Sequence, residues 1–385
     1  MIDPGRIPLA LYVHLPWCVR KCPYCDFNSH QVPSSGLPER PYLAALLEDL
    51  EYAASDVAGR QVVSVFFGGG TPSLFSAAAI GDVLERANRL LPFVRDVEIT
   101  LEANPGAVEH GRFVEYAAAG INRVSLGAQS FDDARLAALG RIHVAGDIER
   151  AVDELRTARI DNFNLDLMYA LPGQDIAGAL ADVDRAVALQ PTHLSHYQLT
   201  LEPETPFARR PPPQMPDEDA AWAMQEACQA RLADAGFVQY EVSGYARPGR
   251  RCRHNLVYWQ FGDYVGVGAG AHGKVSSHSG VRRTVRVRHP SAHLAAASPA
   301  ERLQESRVVA GEDLPFEFCL NTLRLVDGFE EDWFPERTGL SCGVLQGRLE
   351  LATTRGLLER CGSRWQPTAL GRRFLNDLQA LFLPA

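Results

Sequence analysis

Apolar runs of strand length alternate with helix-like stretches over the first 200 residues. The strand-like runs are Leu9–Leu15, Val62–Phe67, Val97–Leu101, Arg123–Ala128, Phe163–Tyr169 and His193–Thr200. Helical patterns lie around 41–58, 76–91, 107–119, 132–158 and 176–190. The strand runs are apolar on both faces, which is typical of a parallel sheet covered by helices. Six successive βα units therefore predict a parallel sheet with crossover helices.

Polar residues at the ends of these strands bear on how the sheet closes. They are Gly69, Gly70 and Thr71 after the second strand, Glu102 and Gln129 at the ends of the third and fourth, and Asp166 in the fifth. An open doubly wound sheet gathers its ligand groups at one switch point, whereas a barrel gathers them at the carboxyl ends of many strands. We therefore expect an α/β fold with a partial, incompletely closed (β/α)6 barrel of the TIM type.

The pattern changes after the sixth strand. Residues 201–217 are rich in proline and predict a connector that is neither helix nor central strand. A helix over 217–235 follows, and then a Gly- and Arg-rich stretch at 240–290. Beyond Pro315, helices, a short hairpin and a last helix at 368–380 predict a smaller, mostly helical, winged-helix-like domain. The expected domains are 1–235, 236–305 and 306–385.

Composition and charge narrow the class of protein. Apolar residues make up 46% and charged residues 22%, which excludes a disordered or fibrous chain. No apolar run reaches the roughly 18–20 residues of a membrane span, and the N-terminus does not resemble a signal peptide, so we expect a cytoplasmic protein. The last 75 residues have no clear basic excess, so the winged-helix-like domain predicts no nucleic-acid partner.

The net charge of −9 is unevenly distributed. Residues 246–293 contain nine Arg or Lys residues against one acid, Asp263. An arginine-rich surface attracts anions such as carboxylates and phosphates. A solvated loop is the alternative.

Three of the eight cysteines, Cys18, Cys22 and Cys25, form a CxxxCxxC motif. Structural zinc sites normally have four ligands, and here His14 or His30 would have to complete a Cys₃His site. Three thiolates without a fourth are better suited to a [4Fe–4S] cluster with one open iron. Purely structural cysteines are the third alternative.

The motif after the first strand, with Tyr24 just before its last cysteine, resembles the radical S-adenosylmethionine (SAM) superfamily. FFGGGTPS, EITLEANP, SLGAQSFDD and NLDLMYALPGQ resemble the strand-end motifs of its coproporphyrinogen-dehydrogenase-like branch. The resemblance implies that the three cysteines hold a [4Fe–4S] cluster and that SAM chelates the open iron. It also implies that the residues around SAM are Tyr12, Tyr24, Gly69, Gly70, Thr71, Glu102, Gln129, Arg141 and Asp166. Of these, Glu102 would pair with the SAM ammonium, Arg141 with its carboxylate, and Gln129 and Asp166 with the ribose. Arg141 falls inside the predicted helix 132–158.

Two features separate the branches of this family. Coproporphyrinogen dehydrogenases have a fourth cysteine where this chain has Phe27. The HNxxYW motif of His254, Asn255, Tyr258 and Trp259 resembles the signature of HemW-type haem chaperones, which bind haem and deliver it to target proteins. The resemblance implies that His254 ligates the haem iron and that Tyr258 or Trp259 packs against the macrocycle. Neighbouring arginines would pair with the propionates. A hydrogen-bonded structural pair of His254 and Asn255 is the alternative.

Two functions therefore remain open. One is a haem chaperone with a SAM-bound cluster, whose partners are haem or another porphyrin and recipient haemoproteins, at the membrane or elsewhere. The other is an oxygen-independent coproporphyrinogen III dehydrogenase. A homodimer is left open. The GxGxxG pattern at 268–273 lacks the βαβ context and the downstream acid of a dinucleotide site, so we interpret it as a tight turn near the barrel mouth.

Overall fold

Strands and helices alternate along the first half of the chain in the computed structural model, which describes residues 1–106 and 112–384. The strands are β1 (Leu9–Leu15), β2 (Trp17–Cys18), β3 (His30–Gln31), β4 (Val62–Gly69), β5 (Phe93–Ala103), β6 (Arg123–Gln129), β7 (Phe163–Tyr169) and β8 (His193–Gln198). The helices are α1 (Glu39–Ala54), α2 (Ala77–Leu90), α3 (Phe113–Ala119), α4 (Asp133–Ala138), α5 (Ala145–Thr157) and α6 (Ile176–Ala188). Side-chain N-caps such as Ser76 and Asp175 begin α2 and α6.

Two of the helices predicted in the first 200 residues differ from the observed ones. The pattern at 132–158 is divided into α4 and α5, because Gly140 has a left-handed φ of +72° that ends the first helix. The pattern at 107–119 is helical from Phe113 onwards, and residues 107–111 lie outside the described part.

The strands form an open sheet with a parallel centre. β1, β4, β5, β6, β7 and β8 lie side by side in chain order, and each neighbouring pair is parallel. A seventh parallel strand, which the sequence pattern did not predict, joins the other side of β1. Antiparallel strands extend both ends, and among the described residues the two end strands do not pair with each other. The fold is thus the expected α/β fold with an incompletely closed parallel sheet.

The middle of the chain supplies these extensions. It contains α7 (Pro206–Arg209), α8 (Glu218–Asp234), β9 (Val238–Gln239), β10 (Gly244–Ala246), α9 (Arg253–Trp259), β11 (Asp263–Val267), β12 (His272–Ser277), β13 (Gly280–Arg286), α10 (Pro290–Ala295) and β14 (Leu303–Val308). β11 is the seventh parallel strand. The prediction that residues 201–217 contain no helix was wrong, because α7 lies there. Pro206 occupies the first position of this helix, where its missing N–H is not needed, and the Thr205 side chain caps the helix.

The C-terminal part has its own small sheet. It consists of α11 (Leu314–Thr322), β15 (Phe329–Glu330), α12 (Trp333–Thr338), α13 (Gln346–Thr354), β16 (Leu358–Cys361), β17 (Arg364–Pro367), α14 (Ala369–Arg373) and α15 (Leu375–Ala380). β17 lies between β15 and β16, so a helix, a strand, two helices and a hairpin follow in the order of a winged helix. The last predicted helix is broken at Phe374 into α14 and α15.

Two large apolar cores support these parts. The first lies between the parallel strands and their helices and includes Leu11, Leu101 and Leu165. The second is built around Phe318 and Phe334 of the C-terminal part, and Ile2 packs into it from the N-terminus. No helix among the described residues has the length and apolar character to cross a membrane.

Candidate functional site

The three motif cysteines lie on the segment that leaves β1 at the carboxyl end of the sheet, here called the cysteine loop, which begins with the short strand β2. Cys18, Cys22 and Cys25 are half-buried free thiols, and they line one cavity of about 130 Å³, here called the cysteine cavity. The ends of β4 to β8 line the same cavity. Burial raises the pKa of Cys18 and Cys25, and a bound metal counters such a shift because it favours the thiolate. The loop thus presents three sulfur ligands to the ends of the strands.

The histidines that a zinc site would need are engaged elsewhere. The His14 ring lies between the Tyr12 hydroxyl, 3.0 Å from Nδ1, and the Asn28 carbonyl oxygen, 2.9 Å from Nε2. His30 Nε2 lies 3.2 Å from Asn28 Oδ1, and its ring packs against His289. These contacts favour a cluster over a Cys₃His zinc site.

The glycine stretch after β4 is tied to the cysteine loop by its backbone. The Gly70 N–H donates to the Leu15 carbonyl at 2.9 Å, and the Thr71 N–H donates to the Trp17 carbonyl at 2.7 Å. A Cβ at Gly69 would lie 2.5 Å from the His14 ring, and one at Gly70 would lie 2.5 Å from the Trp17 carbonyl oxygen. Only glycine allows this close packing against His14 and Trp17, and it holds Gly69 and Gly70 in the wall of the cysteine cavity.

Two carboxyl groups line the cysteine cavity opposite the thiols. Glu102 accepts a 3.1 Å hydrogen bond from the Gly69 N–H, and its pKa is raised to about 8 by burial and by the neighbouring Asp166. Burial also raises the pKa of Asp166, which accepts hydrogen bonds from Asn164 and Ser125 at 2.8 and 3.2 Å. A cation bound here would favour the ionised carboxylates and offset the cost of their burial.

Arg141 lies in the turn between α4 and α5, not in a helix as the pattern predicted. Its Nη1 lies 3.5 Å from Cys22 Sγ, and its Nη2 donates to the Gly127 carbonyl at 2.8 Å and to Asn104 Oδ1. Asn104 in turn donates to the Thr71 hydroxyl oxygen at 2.7 Å. The guanidinium is therefore held at the cavity wall by two neighbouring strand ends.

Gln129 and Tyr24 complete the set that the sequence placed around this cavity. Gln129 accepts a 2.8 Å hydrogen bond from the Tyr197 hydroxyl and has a left-handed φ of +69°. Such a conformation is strained for a residue other than glycine, and strain of this kind is concentrated at functional sites. Tyr24 lines the cavity and packs against Phe207. Tyr12 lies outside the cysteine cavity, on the wall of a neighbouring cavity.

That neighbouring space, here called the mouth cavity, has a volume of about 510 Å³. Its walls include Tyr12, Phe27, Tyr258, Tyr264, His272 and Arg288. Phe27, Gly69 and Glu102 line both cavities, so the two spaces adjoin.

The HNxxYW motif forms α9, behind one wall of the mouth cavity. His254 is buried, with Nδ1 3.1 Å from the Ser64 hydroxyl and Nε2 3.1 Å from the Tyr258 hydroxyl, and its ring stacks on Phe66. Burial, assisted by Arg123, lowers the pKa of His254 to about 3, so the ring is neutral. Both ring nitrogens are thus engaged inside the protein, which favours a structural role for His254, although its partners are Ser64 and Tyr258 and not Asn255 as the alternative expected.

The other motif residues point in different directions. Tyr258 lines the mouth cavity, whereas Asn255 and Trp259 line neither cavity. The Arg324 guanidinium lies over the Trp259 ring, 4.3 Å from its centre. The structure therefore brings one of the four predicted haem residues to the mouth cavity.

The basic segment 246–293 does not form one anion-attracting surface. Six of its nine cationic side chains pair with carboxylates, namely Arg251 with Asp327, Arg253 with Asp96, Lys274 with Asp263, Arg282 with Asp56, Arg283 with Glu317 and Arg286 with Asp49. The patch expected from the charge count is largely neutralised, in five of these six pairs by acids outside the segment.

Several residues at the two cavities were missed by the sequence analysis. Asn104 could have been found, since it follows a strand end two residues after Glu102. His272 lies in the GxGxxG pattern that we interpreted as a turn; the turn is observed, with Gly268 and Gly270 at positive φ. No neighbouring residue in the sequence marked His272 as part of a site.

A sheet of this kind with a three-cysteine loop at its carboxyl edge defines the radical SAM class of proteins. The family model of the Radical SAM superfamily matches residues 12–186, and that of the HemN C-terminal domain matches residues 309–374. Similar curated proteins include the heme chaperone HemW of Escherichia coli (46% identity, 98% of each chain) and that of Haemophilus influenzae (45%, 99% of each). The chain belongs to the HemW family of this superfamily.

The fold has a solved counterpart. The structure of coproporphyrinogen III oxidase (HemN) from Escherichia coli, described as a radical SAM enzyme, matches with a TM-score of 0.83 over 98% of this chain and 90% of that one. The two sequences are 22% identical, so the likeness shows the common fold and no more.

Proposed function

We propose that this chain binds haem and transfers it to recipient haemoproteins. The observation that carries the proposal is that relatives named heme chaperone match it over 98% of both chains, with 46% and 38% identity in two of them. The mouth cavity supports it, because about 510 Å³ lies within the range of about 300–1,000 Å³ typical of pockets for cofactor-sized ligands.

The cysteine cavity is proposed to hold a [4Fe–4S] cluster and SAM. Cys18, Cys22 and Cys25 would each bind one iron, and SAM would chelate the fourth. The donor set fits, because three thiols face the cavity and the two carboxyls with raised pKa suit a cationic ligand. When bound, the cluster and SAM supply one-electron chemistry to this site.

The roles of the chain around SAM remain as the family resemblance implies. Glu102 would accept from the SAM amino group, Asp166 and Gln129 would bond the ribose, and Arg141 would pair with the carboxylate. The remaining members, Tyr24, Gly69, Gly70 and Thr71, keep the places around SAM that the resemblance gives them. Because Tyr12 lies on the wall of the mouth cavity, we propose that it contacts the haem side of the site.

The HNxxYW residues His254, Asn255, Tyr258 and Trp259 stay our prediction for the haem region. The contacts of His254 favour a positioning role, since its Nε2 bonds the Tyr258 hydroxyl. Tyr258 would then present its ring to the macrocycle.

The alternative function is the dehydrogenase, and Phe27 argues against it. The dehydrogenases have a cysteine at this position, and Phe27 cannot replace a thiol in proton or hydrogen transfer. An anaerobic strain that lacks its coproporphyrinogen dehydrogenase tests the choice. We expect that this chain does not restore growth, while the purified protein binds one haem. Growth without haem binding would favour the enzyme.

We propose the same three-part organisation as before, with a barrel part at 1–235, a middle segment at 236–305 and a winged-helix-like part at 306–385. The winged-helix-like part would contact the recipient. A cytoplasmic location suits the eight free cysteines, because the cytosol keeps thiols reduced. Recipients at the membrane and a homodimer stay predictions, to be tested by pull-down with haem-loaded protein and by sedimentation.

A further inference from the structure

One side chain in the mouth cavity is of a type that commonly ligates haem iron, and its ring makes no hydrogen bond to any described residue. His272, at the start of β12, is exposed and lines this cavity. The other histidine of the cavity, His14, uses both ring nitrogens within the protein. His254, behind the wall, does the same. Among the described residues, no hydrogen bond engages the His272 ring.

Resting on the proposed haem function, we propose that haem binds in the mouth cavity with His272 as its iron ligand and Phe27 packed against the macrocycle. Imidazole nitrogen is a common axial ligand of haem iron. Phe27 supplies the apolar partner, because its side chain is 63% exposed beside the cavity. An exposed aromatic ring at a cavity rim gains free energy when a flat apolar ligand covers it.

The segments that carry Phe27 and His272 are connected by hydrogen bonds. Asn28, which follows Phe27, donates from Nδ2 to the carbonyls of Ala269 and Arg288, both at 2.9 Å. Ala269 lies in the turn before His272. The Asn28 amide therefore joins the cysteine loop to the β11–β12 turn, and it holds the backbone next to Phe27 close to the turn that precedes His272.

The cavity also has a suitable cation. Arg288 lines it, and no ion pair among the described residues engages its guanidinium, which is free to bond a propionate. Two acids line the cavity, namely Glu102, which accepts from the Gly69 N–H, and Glu305, which lies 3.0 Å from the Arg307 guanidinium and so is partly neutralised.

A second large cavity does not offer these groups. It has a volume of about 410 Å³ and lies between α8 and the C-terminal helices, with walls that include Trp222, Arg324 and Arg373. The described residues of its lining include no His, Cys, Met or Tyr, so they supply none of the usual iron ligands of haem proteins.

The test is an anaerobic haem titration of the full-length, cluster-reconstituted protein, followed by the Soret band. We compare the wild type with His272→Ala and with His278→Ala, a control at the far end of the same β-hairpin whose ring bonds the Ile2 carbonyl. His272→Ala should shift the Soret band and weaken haem affinity about ten-fold or more, and added imidazole should restore the wild-type spectrum. His278→Ala should behave as the wild type.

The outcomes separate the two levels of the proposal. A wild type that binds no haem contradicts the proposed function itself. A wild type that binds haem, together with a folded His272→Ala that has the same spectrum and affinity, contradicts His272 as the ligand and leaves the function standing. Should His272→Ala not fold, His272→Gln keeps a polar side chain and takes its place in the same comparison. Phe27→Ala should weaken affinity without moving the Soret band, and an unchanged affinity would refute the packing role.

Discussion

Replacing Glu102 by Gln tests whether the cysteine cavity is built for a cation. In the folded protein the pKa of Glu102 is raised from its ordinary value of 4.5 to about 8, first by burial and then by Asp166. The folded state therefore holds a proton that the unfolded chain releases between these pH values. Stability from this group is fully present below pH 4.5 and is lost as the pH rises towards 8.

The size of the effect follows from this window. At about 1.36 kcal/mol per pKa unit, raising the pH from 5 to 7.5 should cost the wild type roughly 3 kcal/mol that Glu102→Gln does not lose. Urea unfolding of cluster-free protein at several pH values measures the difference. The free energy of unfolding of Glu102→Gln should rise relative to that of the wild type as the pH rises. A variant of the exposed Glu51, which pairs with Arg86, should show the same pH dependence as the wild type.

A second measurement connects this effect to the ligand. In cluster-reconstituted protein, SAM should reduce the pH-dependent loss of wild-type stability, because its cationic groups stabilise the ionised carboxylate. Glu102→Gln should bind SAM about one to two decades more weakly, since a charge-assisted hydrogen bond is worth roughly 1.5–3 kcal/mol. If the stabilities of the wild type and Glu102→Gln changed in parallel with pH, and both bound SAM equally well, Glu102 would not be part of a cation-binding site.

Three further predictions concern the cluster, the buried charges and the HNxxYW motif. Simultaneous replacement of Cys18, Cys22 and Cys25 by Ala should abolish the uptake of about four iron and four sulfide per chain and leave the circular dichroism unchanged; tight zinc in the wild type instead of iron would contradict it. Asp263→Asn should cost about 3–5 kcal/mol at pH 7 in urea unfolding, because it leaves the buried Lys274 unpaired. Although burial raises the pKa of Asp263, Lys274 and Arg60 lower it below 3.8, so the cost should shrink as the pH falls below that value. His254→Ala should cost about 1–3 kcal/mol and leave the Soret band in place; a shift equal to that of His272→Ala would make His254 the iron ligand.

The parallel centre of the sheet could be predicted from the sequence because its strands are apolar and follow one another in chain order. β11 could not, since it is short and pairs with β1, Leu9 lying beside Asp263. Periodicity carries no information about a partner so distant along the chain. The polar strand ends did reveal the cysteine cavity, because parallel strands bring their carboxyl ends to one edge.

The HNxxYW motif shows how far a sequence motif can predict a binding site. One of its residues, Tyr258, lines the mouth cavity where we propose that haem binds, but the motif could not tell which side chains point inwards. Whether His254 or His272 faces the cavity depends on how α9 and β12 pack, and burial decides it. In the same way, the local excess of arginines suggested an anion site until acids from other elements, such as Asp96 and Asp327, were seen to pair with them.

The most direct test of the account is haem transfer. The cluster-reconstituted protein is loaded with one haem and mixed with a haem-free recipient haemoprotein, and in parallel with apomyoglobin, which collects only haem that has already dissociated. We predict that the recipient acquires haem faster than apomyoglobin, at a rate that rises with recipient concentration. Equal rates for the two acceptors, independent of their concentration, would mean that haem simply dissociates and would contradict a chaperone function.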